Sequence, residues 1–175
     1  MSFVMVDVEA DGPIPGTEDY SMISFGAVLV EDQTKTFYGR LKPISPNYIP
    51  EALKVSGHTR EETMGFDEPE IVMKQFDEWI TANVKGRPMF VSDNNGFDWM
   101  FVCWYFHHFT GFNPFGFSSM NLGSLFKGAE RTFFANFKYL RDTKHTHHPV
   151  DDAKGNCEAM VKILKKYNIK SGLKV

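Results

Sequence analysis

The chain has 175 residues, 42% of them apolar and 23% charged, which suits one domain, 1–175, with its own core. Its formal charge of −3 is the wrong sign for a protein that holds nucleic acid on a broad cationic face, so any affinity for phosphate must be local. No apolar run reaches the roughly 20 residues of a membrane span, the first residues read as strand and not as signal peptide, and Cys103 and Cys157 lie in apolar stretches that suit reduced thiols; a cytoplasmic protein with no membrane contact is expected.

Residues 3–8 read as a first strand, in which Val4, Val6 and Val8 alternate with Asp7 and Glu9. Strand side chains alternate between faces, so the two acids point to the same side. Held together and desolvated, they must take up a proton or be neutralised by a cation, and all-oxygen ligands favour Mg²⁺ or Mn²⁺ over zinc. An EF-hand loop also matches Asp7, Glu9, Asp11, Gly12 and Glu18, but it needs a helix before Asp7, and Pro13 and Pro15 remove backbone donors. Residues 21–30 and 35–42 read as two further strands of an antiparallel meander. A segment with Pro43, Pro46, Pro50 and Gly57 reads as turns, and Val72, Phe76, Trp79, Ile80 and Asn83 mark a helix that Gly86 and Pro88 end. Met89-Phe90-Val91 is a strand reached through a crossover, and Phe101, Val102, Tyr105, Phe106 and Phe109 mark the next helix, before Gly111 and Pro114. Residues 119–140 carry weaker helical signals. The last helix starts near Pro149 and buries Ala153, Cys157, Met160, Val161 and Leu164. The order β-β-β-α-β-α-α describes an α/β protein, a mixed sheet flanked by helices.

Two more acidic pieces stand out. Asp98 follows a strand and opens a helix, where the helix amino terminus favours a carboxylate, and His147-His148-Pro149-Val150-Asp151-Asp152 sets a histidine five residues ahead of an aspartate at another helix start. Each piece alone has an ordinary reading as a cap, a surface histidine or a dipole partner. Together they supply four acids and a base. The lysines Lys154, Lys162, Lys165, Lys166, Lys170 and Lys174 make the last stretch basic, and their simplest reading is a solvated helix face.

In these motifs the chain resembles the DEDDh branch of the 3′–5′ exonucleases over nearly its whole length. The matching stretches are Val6-Asp7-Val8-Glu9, Ile23-Ser24-Phe25-Gly26-Ala27-Val28, Tyr38 to Pro43, Ile49 to Ala52, Ser56-Gly57-His58-Thr59, Asn94-Asn95-Gly96-Phe97-Asp98 and His147 to Ala153. The resemblance implies a ribonuclease H-like mixed five-stranded sheet and metal-dependent release of nucleoside 5′-monophosphates from the 3′ end of single-stranded DNA or RNA. It implies two Mg²⁺ or Mn²⁺ ions held by Asp7, Glu9, Asp98 and Asp152, with Asp7 between them and His147 as general base. His148, four residues from Asp152, is the rival base. Ala10, Gly12, Ile14, Asn94 and Phe97 are the expected substrate contacts, with Ile14, then Pro13, as the wedge at the terminal base, and Asp11 assigned to turn chemistry. Asp93 stands where the family often has histidine. Phe97, Phe133, Phe134 and Phe137 are candidates for base stacking. Alternatives from other classes are a catalytically silent interaction module on the same fold, and a zinc site of His145, His147, His148 and Asp151, whose crowding fits zinc poorly. A homodimer is compatible with the aromatic content.

Overall fold

The computed structural model describes residues 1–172; Lys174, part of the basic stretch noted above, lies outside them. Three strands, β1 (Ser2–Ala10), β2 (Met22–Leu29) and β3 (Asp32–Arg40), form the expected antiparallel meander. The chain then leaves the sheet through two short helices, α1 (Pro50–Val55) and α2 (Arg60–Met64), and a longer one, α3 (Pro69–Asn83). It returns as β4 (Pro88–Ser92), which pairs parallel to β1, and continues through α4 (Asn95–Phe109) to β5 (Ser119–Asn121), parallel to β4. Helix α5 (Leu122–Glu130), a single 3₁₀ turn at Lys138–Leu140 and α6 (Pro149–Lys166) complete the chain. The sheet order is β3-β2-β1-β4-β5, so β1 is central, antiparallel to one neighbour and parallel to the other.

The alternation on β1 divides the core in two. Val4, Val6, Val8 and Ala10 face α3 and α4, packing with Val72, Phe76, Phe101 and Tyr105. Phe3 and Met5 face the opposite side and pack with Cys157, Met160 and Ile163 of α6. Asp7 and Glu9 continue that second face beyond the apolar residues. Phe76 is buried among Phe25, Phe37, Phe106 and Phe115, with ring centroids 4.8 to 6.1 Å away; truncating such a side chain typically costs about 3–5 kcal/mol.

Two glycines let helices lie close on the sheet. A Cβ at Gly26 would stand 2.4 Å from the Pro149 carbonyl carbon and the Val150 nitrogen, so the start of α6 rests directly on β2. A Cβ at Gly39 would meet the side chains of Phe25 and Val72 at 2.7 Å. Three details differ from the sequence reading. The turn-rich segment holds α1, begun by Pro50, and α2, opened by a capping box between Thr59 and Glu62. Within 119–140 the first residues form β5, too short to show a period. Lys162 and Lys166 of α6 are engaged within the protein, with Leu140 and Asp142 and with Glu130 respectively.

Candidate active site

The four expected acids converge where β1 and β4 end. Asp7 and Glu9 reach there along one face of β1, Asp98 from the first turn of α4, and Asp152 from the first turn of α6. Asp7 lies in register with Gly26, the residue on which α6 rests, so one close approach brings Asp152 over the β1 acids. Carboxylate oxygens of Asp7, Glu9 and Asp152 lie within 4.8 Å of one another.

Asp98 and Asp152 are held by backbone donors. β1 pairs with β4 only as far as Met5 with Val91, so the Val8 amide is left to donate to Asp98 Oδ1 at 3.2 Å. Asp152 Oδ1 accepts the Thr146 amide and Oδ2 the His147 amide, both at 3.1 Å. His145 Nδ1 lies 2.8 Å from the same Oδ2. Helix amino termini add partial positive charge behind Asp98 and Asp152.

The electrostatics are nonetheless uncompensated. Burial, then Asp152 and Asp98, push Glu9 up to about 8 from an ordinary 4.5. Burial raises Asp7 well above the carboxylate range, with Asp98, Glu9 and Asp152 adding to it, and burial likewise raises Asp98. Asp98 Oδ2 is buried without a hydrogen-bond partner. Of the cations lining the cleft, Arg141 and Lys138 are turned to Asp93, at 3.0 and 3.7 Å. Clustered carboxylates with an orphaned buried oxygen and, among the described residues, no lysine or arginine ion-paired to them suit a divalent metal.

His147 stands at the mouth, half exposed, with Nδ1 3.9 Å from Glu9 Oε1. Its backbone is left-handed, φ 61°, a conformation that costs a non-glycine residue about 1 kcal/mol or more, and the bond to Asp152 holds it there. His148, the rival, instead caps α6 and packs its ring 4.7 Å from Tyr38. His145 is the histidine that sequence reasoning did not place beside the acids: its ring lies 4.2 Å from that of His147. The four residues weighed as a zinc site do not gather as a set, since Asp151 bonds Thr146 and His148 faces Tyr38, while His145 and His147 share Asp152.

Beside the acids is an apolar cavity of about 400 Å³ lined by Glu9, Ala10, Gly12, Pro13, Ile49, Ala52, Val55 and Phe97. A Cβ on Gly12 would overlap the Tyr20 ring, so only glycine fits there. Ile14 is 44% exposed, and Pro13 is the loop residue on the cavity wall. Asn94 caps α4 and lines the acidic cleft with Phe97. Asp11 is fully buried, accepting the Ser21 amide and bonding Arg60 at 3.0 Å, a brace for this loop. Phe137 is 4% exposed in the second core, which removes it from the stacking candidates; Phe133 and Phe134 are 88% and 96% exposed.

A ribonuclease H-like mixed sheet that gathers four carboxylates in one cleft at its strand ends is the arrangement of a nuclease. Solved structures agree on the fold. The nuclease domain of 3′hExo, described as a DEDDh family member and bound to rAMP, superposes with a TM-score of 0.73 at 15% identity, covering 94% of this chain and 92% of that one. An E. coli ExoI–ssDNA complex gives 0.69 at 17% identity over 94% of this chain and 40% of that one. No protein-family model matches. The 3′-5′ DNA exonuclease Cap18 of Escherichia coli is 45% identical over 130 residues, 72% of this chain and 68% of that protein. The chain belongs to the DEDDh family of 3′–5′ exonucleases and hydrolyses phosphodiester bonds from the 3′ end.

Proposed function

We propose that the protein removes nucleotides one at a time from the 3′ end of single-stranded DNA, using Mg²⁺ or Mn²⁺ held by Asp7, Glu9, Asp98 and Asp152. The observation that carries this is the set of converging carboxylates with Asp98 Oδ2 left unpaired. Divalent ions bound there supply the acidity that activates a water and the positive charge that stabilises the leaving 3′ oxygen. His147, whose ring lies beside Glu9 at the mouth, accepts the proton of the attacking water on a ring nitrogen. His145 positions Asp152 through the contact at its Oδ2. The apolar cavity, with Ala10, Gly12 and Pro13 on one wall and Phe97 on another, takes the terminal nucleoside, and Asn94 faces the phosphate entering the cleft. Ile14, further out on the same loop, meets the penultimate base.

DNA is preferred to RNA in this reading because the relative at 45% identity is named a DNA exonuclease. The unpaired thiols Cys103 and Cys157 fit the reducing cytoplasm, and no helix among the described residues is long and apolar enough to cross a membrane. A homodimer would use the half-buried Trp99, Met100 and Trp104 on the outer face of α4.

The test is degradation of matched 5′-labelled DNA and RNA oligomers with Mg²⁺, Mn²⁺ or EDTA. Stepwise shortening of DNA from the 3′ end, abolished by EDTA, is expected; no shortening of either polymer with any metal refutes the reading and leaves the silent module in its place. Sedimentation gives the assembly state, and a monomer at all concentrations removes the dimer.

A further inference from the structure

The cleft and its cavity account for one terminal nucleotide, yet a second groove of about 460 Å³ lies along the neighbouring helix, lined by Ser124, Lys127, Gly128, Arg131, Thr132 and Phe133. Positions 124, 127, 128 and 131 repeat at helical spacing, so they form one stripe of α5, about 10 Å long at 1.5 Å per residue. The stripe starts at the catalytic cleft: Asn121, which caps α5, donates to the Asp93 carbonyl at 2.9 Å, and Asp93 lines the cleft. Its far end runs into the loop bearing Phe133 and Phe134, and that loop returns to the cleft at Lys138.

The charge of the groove opposes that of the chain. Among the described residues, neither Lys127 nor Arg131 forms an ion pair, although the protein carries a formal charge of −3. The nearest acid in sequence, Glu130, is taken up by Lys166 and Tyr167. Arg131 also adopts a left-handed backbone, φ 55°, at a helix end where glycine is usual. Two unpaired cations followed by two adjacent phenylalanines almost wholly in solvent match the two things a single strand presents, phosphates and unpaired base faces.

We propose that this groove and the Phe133-Phe134 loop bind the single strand upstream of the nucleotide being removed, Lys127 and Arg131 on its phosphates and the phenylalanines on its bases. The inference rests on the nuclease reading of the cleft, and deepens it: affinity for the polymer resides outside the acidic site that cuts it.

The experiment compares wild type with Phe133→Ala/Phe134→Ala and Lys127→Gln/Arg131→Gln on two substrates, a 5′-labelled oligothymidylate and the p-nitrophenyl ester of thymidine 5′-monophosphate, which is too small to leave the cleft. All four positions are exposed, and thermal melts confirm the fold. Each double variant is expected to raise KM for the oligomer about tenfold or more, with kcat and the hydrolysis of the small ester unchanged. The cationic variant also flattens the salt dependence of KM. Unchanged KM for the oligomer, or an equal loss on both substrates, overturns the proposal. If wild type cuts neither substrate, the catalytic reading fails on its own, and oligomer binding by fluorescence anisotropy in an Asp7→Asn background with EDTA still decides this one: weakened binding by the double variants supports it, equal binding refutes it. Capture of a protein partner through the phenylalanines, with oligomer binding unaltered, likewise refutes it.

Discussion

Replacing Gly26 by alanine should cost far more activity than its distance from the chemistry suggests. The added Cβ would lie 2.4 Å from backbone atoms of Pro149 and Val150, against about 3.4 Å for an ordinary contact, so the start of α6 must rise by about 1 Å. Backbone cannot rotate away as a side chain can. Overpacking of this kind costs about 1–3 kcal/mol, which lowers Tm by about 2–12 °C in a chain of this size. The larger effect is on catalysis, because Asp152 and the His147 amide bound to it move with the helix. A displacement of about 1 Å in a catalytic group can cost about a hundredfold in rate. The control is Gly39→Ala, whose Cβ meets side chains of Phe25 and Val72 at 2.7 Å and leaves α6 alone. Both variants should lose stability, and Gly26→Ala alone should lose kcat about a hundredfold on an oligonucleotide at saturating metal. Equal kcat for the two variants, with similar Tm, would refute the claim that contact at Gly26 sets the position of Asp152.

Asp7→Asn should abolish Mg²⁺-dependent hydrolysis while raising the Tm of metal-free protein at pH 8, since it removes a buried charge facing Asp98, Glu9 and Asp152; a lower Tm contradicts the electrostatic account. Glu9 sets a pH dependence whose sign follows from its raised value. The folded protein holds that proton more tightly than the unfolded chain, so the stabilisation is complete below about pH 4.5 and fades as pH rises through about 8. Metal-free protein should therefore lose Tm across that window, and saturating Mg²⁺ or Mn²⁺ should flatten the profile; a Tm that climbs toward pH 8 without metal goes against it. His147→Ala should lower kcat about a hundredfold or more, His145→Ala should lower it less with weaker metal affinity by calorimetry, and His148→Ala should act as wild type; a silent His147→Ala moves the base elsewhere.

Much of this architecture is legible in the residues, and the parts that are not have identifiable causes. Val4, Val6 and Val8 reveal β1 because that face is apolar throughout, while the other turns from Phe3 and Met5 to the acids. Strand β5 is hidden because Ser119-Met120-Asn121 is too short to alternate and owes its state to pairing with β4. Helix α2 left a readable signal, Thr59 with Glu62 three residues on, submerged in a stretch dominated by Pro43, Pro46 and Pro50. The Asp11–Arg60 brace joins residues far apart in sequence and has no local trace. His145 meets Asp152 two residues ahead of a left-handed turn at His147, a conformation no pattern of residue types announces.

The central place of β1 makes the site the product of a non-local closure. Asp7 and Glu9 lie on β1, but their partner Asp152 comes from α6, the helix that covers Met5 on the same face and lies far from β1 in sequence. Until α6 docks, Asp7 and Glu9 face water on an uncovered sheet, without Asp152 beside them. Non-local closure of this kind is the slow step of mixed sheets. The site is thus assembled only when α6 settles on Gly26, so the docking of one helix decides when the acids of β1 meet Asp152.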